Sequence, residues 1–267
     1  HVTWNENHWG YTNTRYWPNE GTVDFYAFAP RVESVKLVNK PEENNPNPTY
    51  IEFTSSTSPV DLVWGVQTGQ KAPTSSTDGK VKFEFKHVLA RLGFDITANQ
   101  ELVENGAVIN VEEVKLYGYS DDKGAFDIRG YLNLENGEWS RDEKSTRAVY
   151  TWTPTGAEDG INYKLSASQL DHTCEKIENA PNSYLCIIPQ VKYVPFYLQI
   201  TYTVQQGAFE EKVKVRKNLL EVLQPGVSNP SFEFVRGKAY VFHLKLSLDP
   251  VNFSVSPDVE GFGPGEQ

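Results

Sequence analysis

The side chains that could do chemistry are few, and their spacing suits little of it. The five histidines are His1, His8, His87, His172 and His243. None lies in HExxH or a comparable zinc pattern, in which two imidazoles one helical turn apart share a face. His243 alternates with apolar neighbours and reads as a solvent-side or edge residue. Asp171-His172-x-Cys174 has the residue types of an acid, a base and a nucleophile. Such a triad converges from different directions, which one short loop does not achieve, so this stretch reads as a polar loop with a structural cysteine. Acid doublets occur at Glu42-Glu43, Glu112-Glu113, Asp121-Asp122 and Glu210-Glu211. Neighbours on a strand face opposite sides, so a doublet does not supply the facing carboxylates of glycosidic cleavage. There is also no GxSxG, P-loop or dinucleotide fingerprint, and the reading is of a non-enzyme that needs neither cofactor nor metal. Cys174 and Cys186 lack CxxC or Cys/His spacing, so a disulfide and two free buried thiols are equally compatible with them.

Aromatic side chains are the surface feature with functional promise. Trp4, Trp9, Tyr11, Tyr16 and Trp17 crowd the first seventeen residues. Flat apolar rings bring large contact area at low entropic cost, so Trp4, Trp9 and Trp17 are candidates for a platform that stacks on sugars or anchors a protein. Packing into a core is the competing reading.

Composition bounds the rest. The chain has 267 residues, 39% apolar and 13% aromatic, enough for one large all-β domain or two ordinary ones. Its formal net charge of −10 repels a phosphate backbone, and no Lys/Arg cluster offsets this locally, so nucleic acid is excluded as a partner. The longest apolar runs are far too short to cross a bilayer, and the chain as given is expected to be soluble. It contains no methionine and opens on His1, so a removed export signal is compatible with it.

The elements that must position these residues are strands. In residues 16–30, YWPNEGTVDFYAFAP, a Pro-Gly turn precedes a segment whose two faces are both largely apolar: Val23, Phe25, Ala27 and Ala29 on one, Tyr26 and Phe28 on the other. Such a strand belongs in the middle of a sheet. Val81, Phe83 and Phe85 alternate with charged residues, as in a half-buried strand. Phe126, Ile128, Leu132 and Leu134 share a face of a strand ending at the Asn136-Gly137 turn. Phe196, Leu198, Ile200, Tyr202 and Val204 alternate up to Gln206-Gly207, and Val213 and Val215 open the return strand of a hairpin. Tyr240, Phe242, Leu244, Leu246 and Leu248 line a long strand near the C-terminus. Helical spacing is confined to Val88-Leu89-Leu92 and Leu219-Leu220-Leu223. The expected core is Phe25, Phe83, Phe85 and Phe94 in the first half and Leu198, Ile200, Tyr202, Leu244 and Leu246 in the second. Residues 140–147 (SRDEKSTR) are charged and lack apolar anchors. They are the expected boundary between an N-terminal sandwich, 1–143, and a C-terminal sandwich with a tail, 144–267.

Four segments in order resemble the fimbrillins of Bacteroidales, the FimA-like and Mfa-like type V pilins. Residues 16–30 resemble the family's WP turn and "dFyAyaP" strand, and residues 83–96 (FEFKHVLARLGFDI) its F-x-H-x-L-x-x-L-x-F block. Residues 184–190 (YLCIIPQ) resemble its "liPQ" strand. Residues 237–248 (GKAYVFHLKLSL) with 253–263 resemble its closing strand and tail. The chain departs from the pattern at Phe262, where the family has tryptophan, and the strands that precede the WP turn are not visible, as in a truncated chain or a divergent branch. The resemblance implies an all-β protein of two transthyretin-like β-sandwich domains in tandem. It further implies an exported lipoprotein precursor, with the membrane met only through its lipid anchor. The protein would then be a structural or adhesive subunit of a fimbria on the cell surface and outer membrane. Its partners would be other fimbrial subunits and a host protein or glycan receptor. The alternative is an exported carbohydrate-binding protein that uses the N-terminal tryptophans.

Strand exchange suits this role, because a sandwich lacking an edge strand exposes unpaired backbone groups that a donated strand satisfies. The turn-rich end, 253–267, is the expected donor or docking tail through Phe253, Val255, Val259 and Phe262. The expected acceptor is an edge groove near Val23–Ala29.

Overall fold

Period-2 patterning is realised as strands almost throughout. A computed structural model describes residues 2–5, 8–11, 16–39, 49–55, 60–74, 80–98, 104–120, 123–152, 163–165, 171–173, 185–246 and 254–261. In chain order the strands are β1 (Val2–Asn5), β2 (His8–Tyr11), β3 (Val23–Ala29), β4 (Val35–Val38), β5 (Tyr50–Thr54), β6 (Val63–Gln70), β7 (Lys86–His87), β8 (Ala90–Ala98) and β9 (Val108–Tyr117). Then come β10 (Phe126–Asp127), β11 (Arg129–Asn133), β12 (Trp139–Arg141), β13 (Arg147–Ala148), β14 (Tyr150–Trp152), β15 (Tyr163–Leu165), β16 (Asp171–Thr173), β17 (Leu185–Ile187) and β18 (Gln190–Lys192). The last are β19 (Tyr197–Gln206), β20 (Phe209–Asn218), helix α1 (Leu219–Leu223), β21 (Phe232–Phe234), β22 (Lys238–Leu246) and β23 (Ser254–Gly261). The chain is all-β.

Two sheets enclose the larger core. In one, β9 and β20 flank β19, and β14 and β15 follow one another along the far edge of β9. In the other, β22 runs parallel to β8 and carries β23 on its opposite edge, while β16 and β17 line β8. Leu198, Ile200, Tyr202, Leu244 and Leu246 are all buried there, as their alternation predicts. Phe126, Phe196 and Phe234 form an edge-to-face cluster with ring centroids 5.3–6.0 Å apart, and Tyr240 joins it at 4.8 Å from Phe234. Helix α1 closes one end. The Asn218 side chain caps it by accepting from the Leu220 N–H, and Leu219 and Leu220 are buried.

The smaller core lies between the sheet β4–β5–β11–β12 and the sheet β3–β6–β7. Val35, Ile51, Phe53, Leu62, Trp64, Leu132 and Leu134 fill it, with Tyr26 and Phe28 packed against it. The β11–β12 hairpin turns through Asn136 and Gly137 as the sequence predicts, with Gly137 at φ +68°.

Several expectations are corrected. Residues 80–85 form no ladder: the segment passes over β6, where a Cβ on Gly65 would sit 3.0 Å from the Glu84 carbonyl oxygen. Phe83 is only half-buried, and Phe85 is 48% exposed with its ring 6.0 Å from that of Phe83, so neither belongs to the core. Phe25 is likewise half-buried, and the side chain of Phe94 lies outside the described residues, as does Leu248. The Val88-Leu89-Leu92 stretch is not helical, because Val88 and Leu89 face the smaller core while Ala90 begins β8. Finally, residues 140–147 are no bare linker. They hold the end of β12, a turn and β13, with Asp142 buried against Arg129, and Arg141 and Arg147 both on Asp127.

The position 143/144 does not separate the two cores. Cys186 and Ile188 pack in the smaller one, whereas residues from 90 to 126 supply much of the larger one.

Candidate functional site

With no cluster of metal-ligating side chains among the described residues, the edges of the sheets are the features that stand out. Among the described residues strand β3 pairs with β6 alone, from Val23 opposite Gln70 to Ala29 opposite Val63. Tyr26 and Phe28 use one face against the smaller core, and on the other the ring of Phe25 meets Trp17 at 5.5 Å. Apart from exposed Asp24, whose carboxylate accepts the Gly69 N–H at 2.7 Å, every residue of β3 is half-buried and none is fully buried. A strand apolar on both faces thus stands at the end of a three-stranded sheet, with one row of backbone groups unmatched by any strand among the described residues.

The second edge is β23. It runs antiparallel to β22 over eight residue pairs, with Val255 opposite Leu244 and Val259 opposite Tyr240. Of the four tail residues singled out in the sequence, Val255 and Val259 lie in this strand, while Phe253 and Phe262 are outside the described residues. The segment expected to be a donor or docking tail thus carries a ladder within its own chain from Ser254 to Gly261. At the N-terminus, Trp4 stands directly opposite Trp9 in the β1–β2 hairpin. Trp17 is half-buried, with its ring 5.5 Å from that of Phe25.

The other chemical candidates separate. Asp171 and His172 lie in β16, paired with Thr97 and Ile96, and Cys174 is outside the described residues. Cys186 is a free, buried thiol, pushed up to about 12 by burial and then by the charge of Asp61. That makes it a poor nucleophile. The doublet Glu112-Glu113 departs from simple alternation. The register shifts opposite Thr201 and Tyr202, and Val111 and Val114 both face the core. The bulge leaves both glutamates off the core side, where Glu112 is paired with Lys212.

One polar cluster escapes sequence reasoning. Asp127 is buried, is ion-paired with Arg141 Nε at 3.0 Å and accepts from Arg147 Nε at 3.2 Å. Nearby, Lys192 is only 2% exposed; its ammonium lies 5.2 Å from the Phe126 ring and 5.8 Å from that of Phe196, and donates to the Ala125 carbonyl. Its neighbours invert the usual polarity, since Val191 and Tyr193 are exposed.

The chain is similar to fimbrial proteins. It is 22% identical to the fimbrium subunit Fim1C of Phocaeicola vulgatus, over 98% of this chain and 74% of that protein. The crystal structure of a fimbrial protein from Bacteroides vulgatus superposes with a TM-score of 0.70 at 18% identity, covering 98% of this chain and 84% of the other. A proposed cell adhesion protein from Bacteroides uniformis gives 0.54 at 18% identity, over 97% and 81%. The fimbrillin-like family model matches residues 1–260, so the chain belongs to the fimbrillin-like family, whose members are fimbrial subunits and not enzymes.

Proposed function

We propose that this protein is a structural or adhesive subunit of a bacterial cell-surface fimbria of the type V class, assembled by strand exchange between subunits. The observation that carries the reading is β3: Val23–Ala29 has the composition of a central strand and the pairing of an edge strand. An added strand would cover its half-buried aromatic and aliphatic side chains and match its open backbone groups. The donor is the C-terminal segment, through Phe253, Val255, Val259 and Phe262. It alternates as an extended donor does, and as a strand laddered only to β22 among the described residues it is released by breaking that ladder. The partners are other subunits of the same or a different kind, with a host protein or glycan as the adhesion target. Export as a lipoprotein precursor to the outer membrane completes the reading. The two units are transthyretin-like sandwiches in tandem, the larger drawing strands from both sides of position 143/144.

Deleting residues 253–267 is the test. The remaining chain should keep both cores and lose polymer formation in the processed protein. Normal polymerisation of the truncated chain would remove the donor assignment.

A second reading, an exported carbohydrate-binding protein, draws on the cross-strand partners Trp4 and Trp9. It predicts glycan-array binding that disappears in Trp9→Ala and Trp17→Ala while folding is unchanged. Binding that survives both substitutions would exclude it.

A further inference from the structure

We infer that the two cores form one folding and mechanical unit, joined by a two-sided partition made of β17 and the start of β8. Leu185 and Ile187 belong to the larger core, whereas Cys186 and Ile188 belong to the smaller one. On the adjoining stretch, Val88 and Leu89 face the smaller core, and Ala90 and Leu92 the larger. The two strands are laddered antiparallel, with Leu185 opposite Leu92 and Ile187 opposite Ala90. Successive residues of a strand point to opposite sides, so Leu185 to Ile188, apolar on both faces, serve two cores at once, with Arg91 opposite Cys186 on the smaller-core side. Neither core can then open along this wall without uncovering side chains of the other.

Polar contacts fasten the wall from both directions. From the smaller unit, Ser55 Oγ donates to the Cys186 carbonyl at 3.2 Å, and Trp139 Nε1 donates to the Val88 carbonyl at 2.6 Å. The Val88 N–H donates to the Leu62 carbonyl at 3.1 Å. From the turn that leads into β22, the Gly237 N–H donates to the Leu89 carbonyl at 2.8 Å. Every one of these uses a backbone group of the partition, so substituting the partition's own side chains leaves its share of the fastening in place.

Domains joined by a linker move and unfold separately by default. A shared wall removes that freedom and merges the two into a single cooperative transition. In a fibre, tension entering at β3 would reach β22 and β23 without crossing a soft joint. This last consequence rests on the proposed fimbrial role; the cooperativity does not.

The test uses the full chain with Cys174→Ser, which leaves Cys186 as the sole thiol. Hydrogen exchange and thiol labelling are followed in rising denaturant. Peptides covering Tyr50–Thr54 and residues 197–204 should share one opening transition. Cys186 should label rapidly only in that transition, and at least about a thousandfold more slowly without denaturant. Ile51→Ala, in the smaller core alone, should shift the exchange of residues 197–204 along with its own. Opening of Tyr50–Thr54 and Cys186 in a step that leaves 197–204 protected would overturn the inference. The parent chain decides this by itself if Ile51→Ala fails to fold. A single transition in a protein that never polymerises would support the partition and count against the fimbrial role, so the two failures are distinguishable.

Discussion

The guanidinium of Arg236 lies over the indole of Trp64, 6.0 Å from the ring centroid, while donating to the carbonyl of Gly137. The β21–β22 turn thereby grips the β11–β12 hairpin of the other core. Gly137 is held at φ +68°, and a Cβ there would sit 2.7 Å from a Trp64 ring carbon and 2.6 Å from Arg236 Nη1. Gly137→Ala should cost about 2–4 kcal/mol, from the left-handed backbone together with the overpacking. Gly207→Ala, at φ +62° but in open space, should cost only about 1–2 kcal/mol. Equal denaturation midpoints for the two variants would show that the grip contributes nothing.

Lys192 predicts an alkaline rise in stability. Burial, with Arg147 and Arg141 adding to it and Asp127 opposing, pushes its ammonium down to about 8. Between that value and the ordinary lysine range the unfolded chain holds a proton that the folded chain has released. Stability therefore rises as pH increases through this window, by up to about 3 kcal/mol. Lys192→Met should flatten the rise and leave the protein at least as stable at pH 7. Midpoints measured from pH 7 to 10 check both, and an unchanged slope in the variant would rule Lys192 out as the source.

Asp142 has the opposite sign. Burial alone would raise its carboxyl, but the Lys144 N–H at 2.8 Å and the charge of Arg129 hold it below the usual carboxylate range. Its contribution is present above the unfolded value and is lost as pH falls through the folded one. Asp142→Asn should destabilise by about 1–3 kcal/mol at pH 7 and converge on the parent in acid. A pH-independent difference would contradict this.

Phe234 and Phe85 should behave as opposites. Phe234→Ala removes a fully buried ring from the aromatic cluster and should cost about 3–5 kcal/mol. Phe85→Ala, half in water, should stay within about 0.5 kcal/mol. Similar melting of both variants would mean that these burials are misassigned.

Alternation made the larger core legible. Leu198 to Val204 and Tyr240 to Leu246 each bury one face against many neighbours, so pattern and placement agree. It could not say which strands have partners: β3 is central in composition but marginal in pairing, and residues 80–85 alternate without a ladder. The helical reading of Val88-Leu89-Leu92 failed because a short apolar run buried on both sides imitates a helix face. Charge at 140–147 suggested a linker, yet Asp127 matches Arg141 and Arg147, and Arg129 matches Asp142, pairings that only the folded chain reveals. Lys192 was hidden for a similar reason, since its exposed neighbours Val191 and Tyr193 suggest the reverse orientation. Of the candidate site, β3 was readable as apolar on both faces, and its place at the edge of the sheet among the described residues was not.

The central claim is that β3 takes up a strand in the fibre, and hydrogen exchange at Val23–Ala29 tests it most directly. Exchange of these amides is compared between the free subunit and the assembled polymer. Strand addition predicts that the edge amides of β3 become protected on assembly, slowing by at least about a hundredfold. Unchanged exchange across Val23–Ala29, with protection gained elsewhere in the chain, would contradict it.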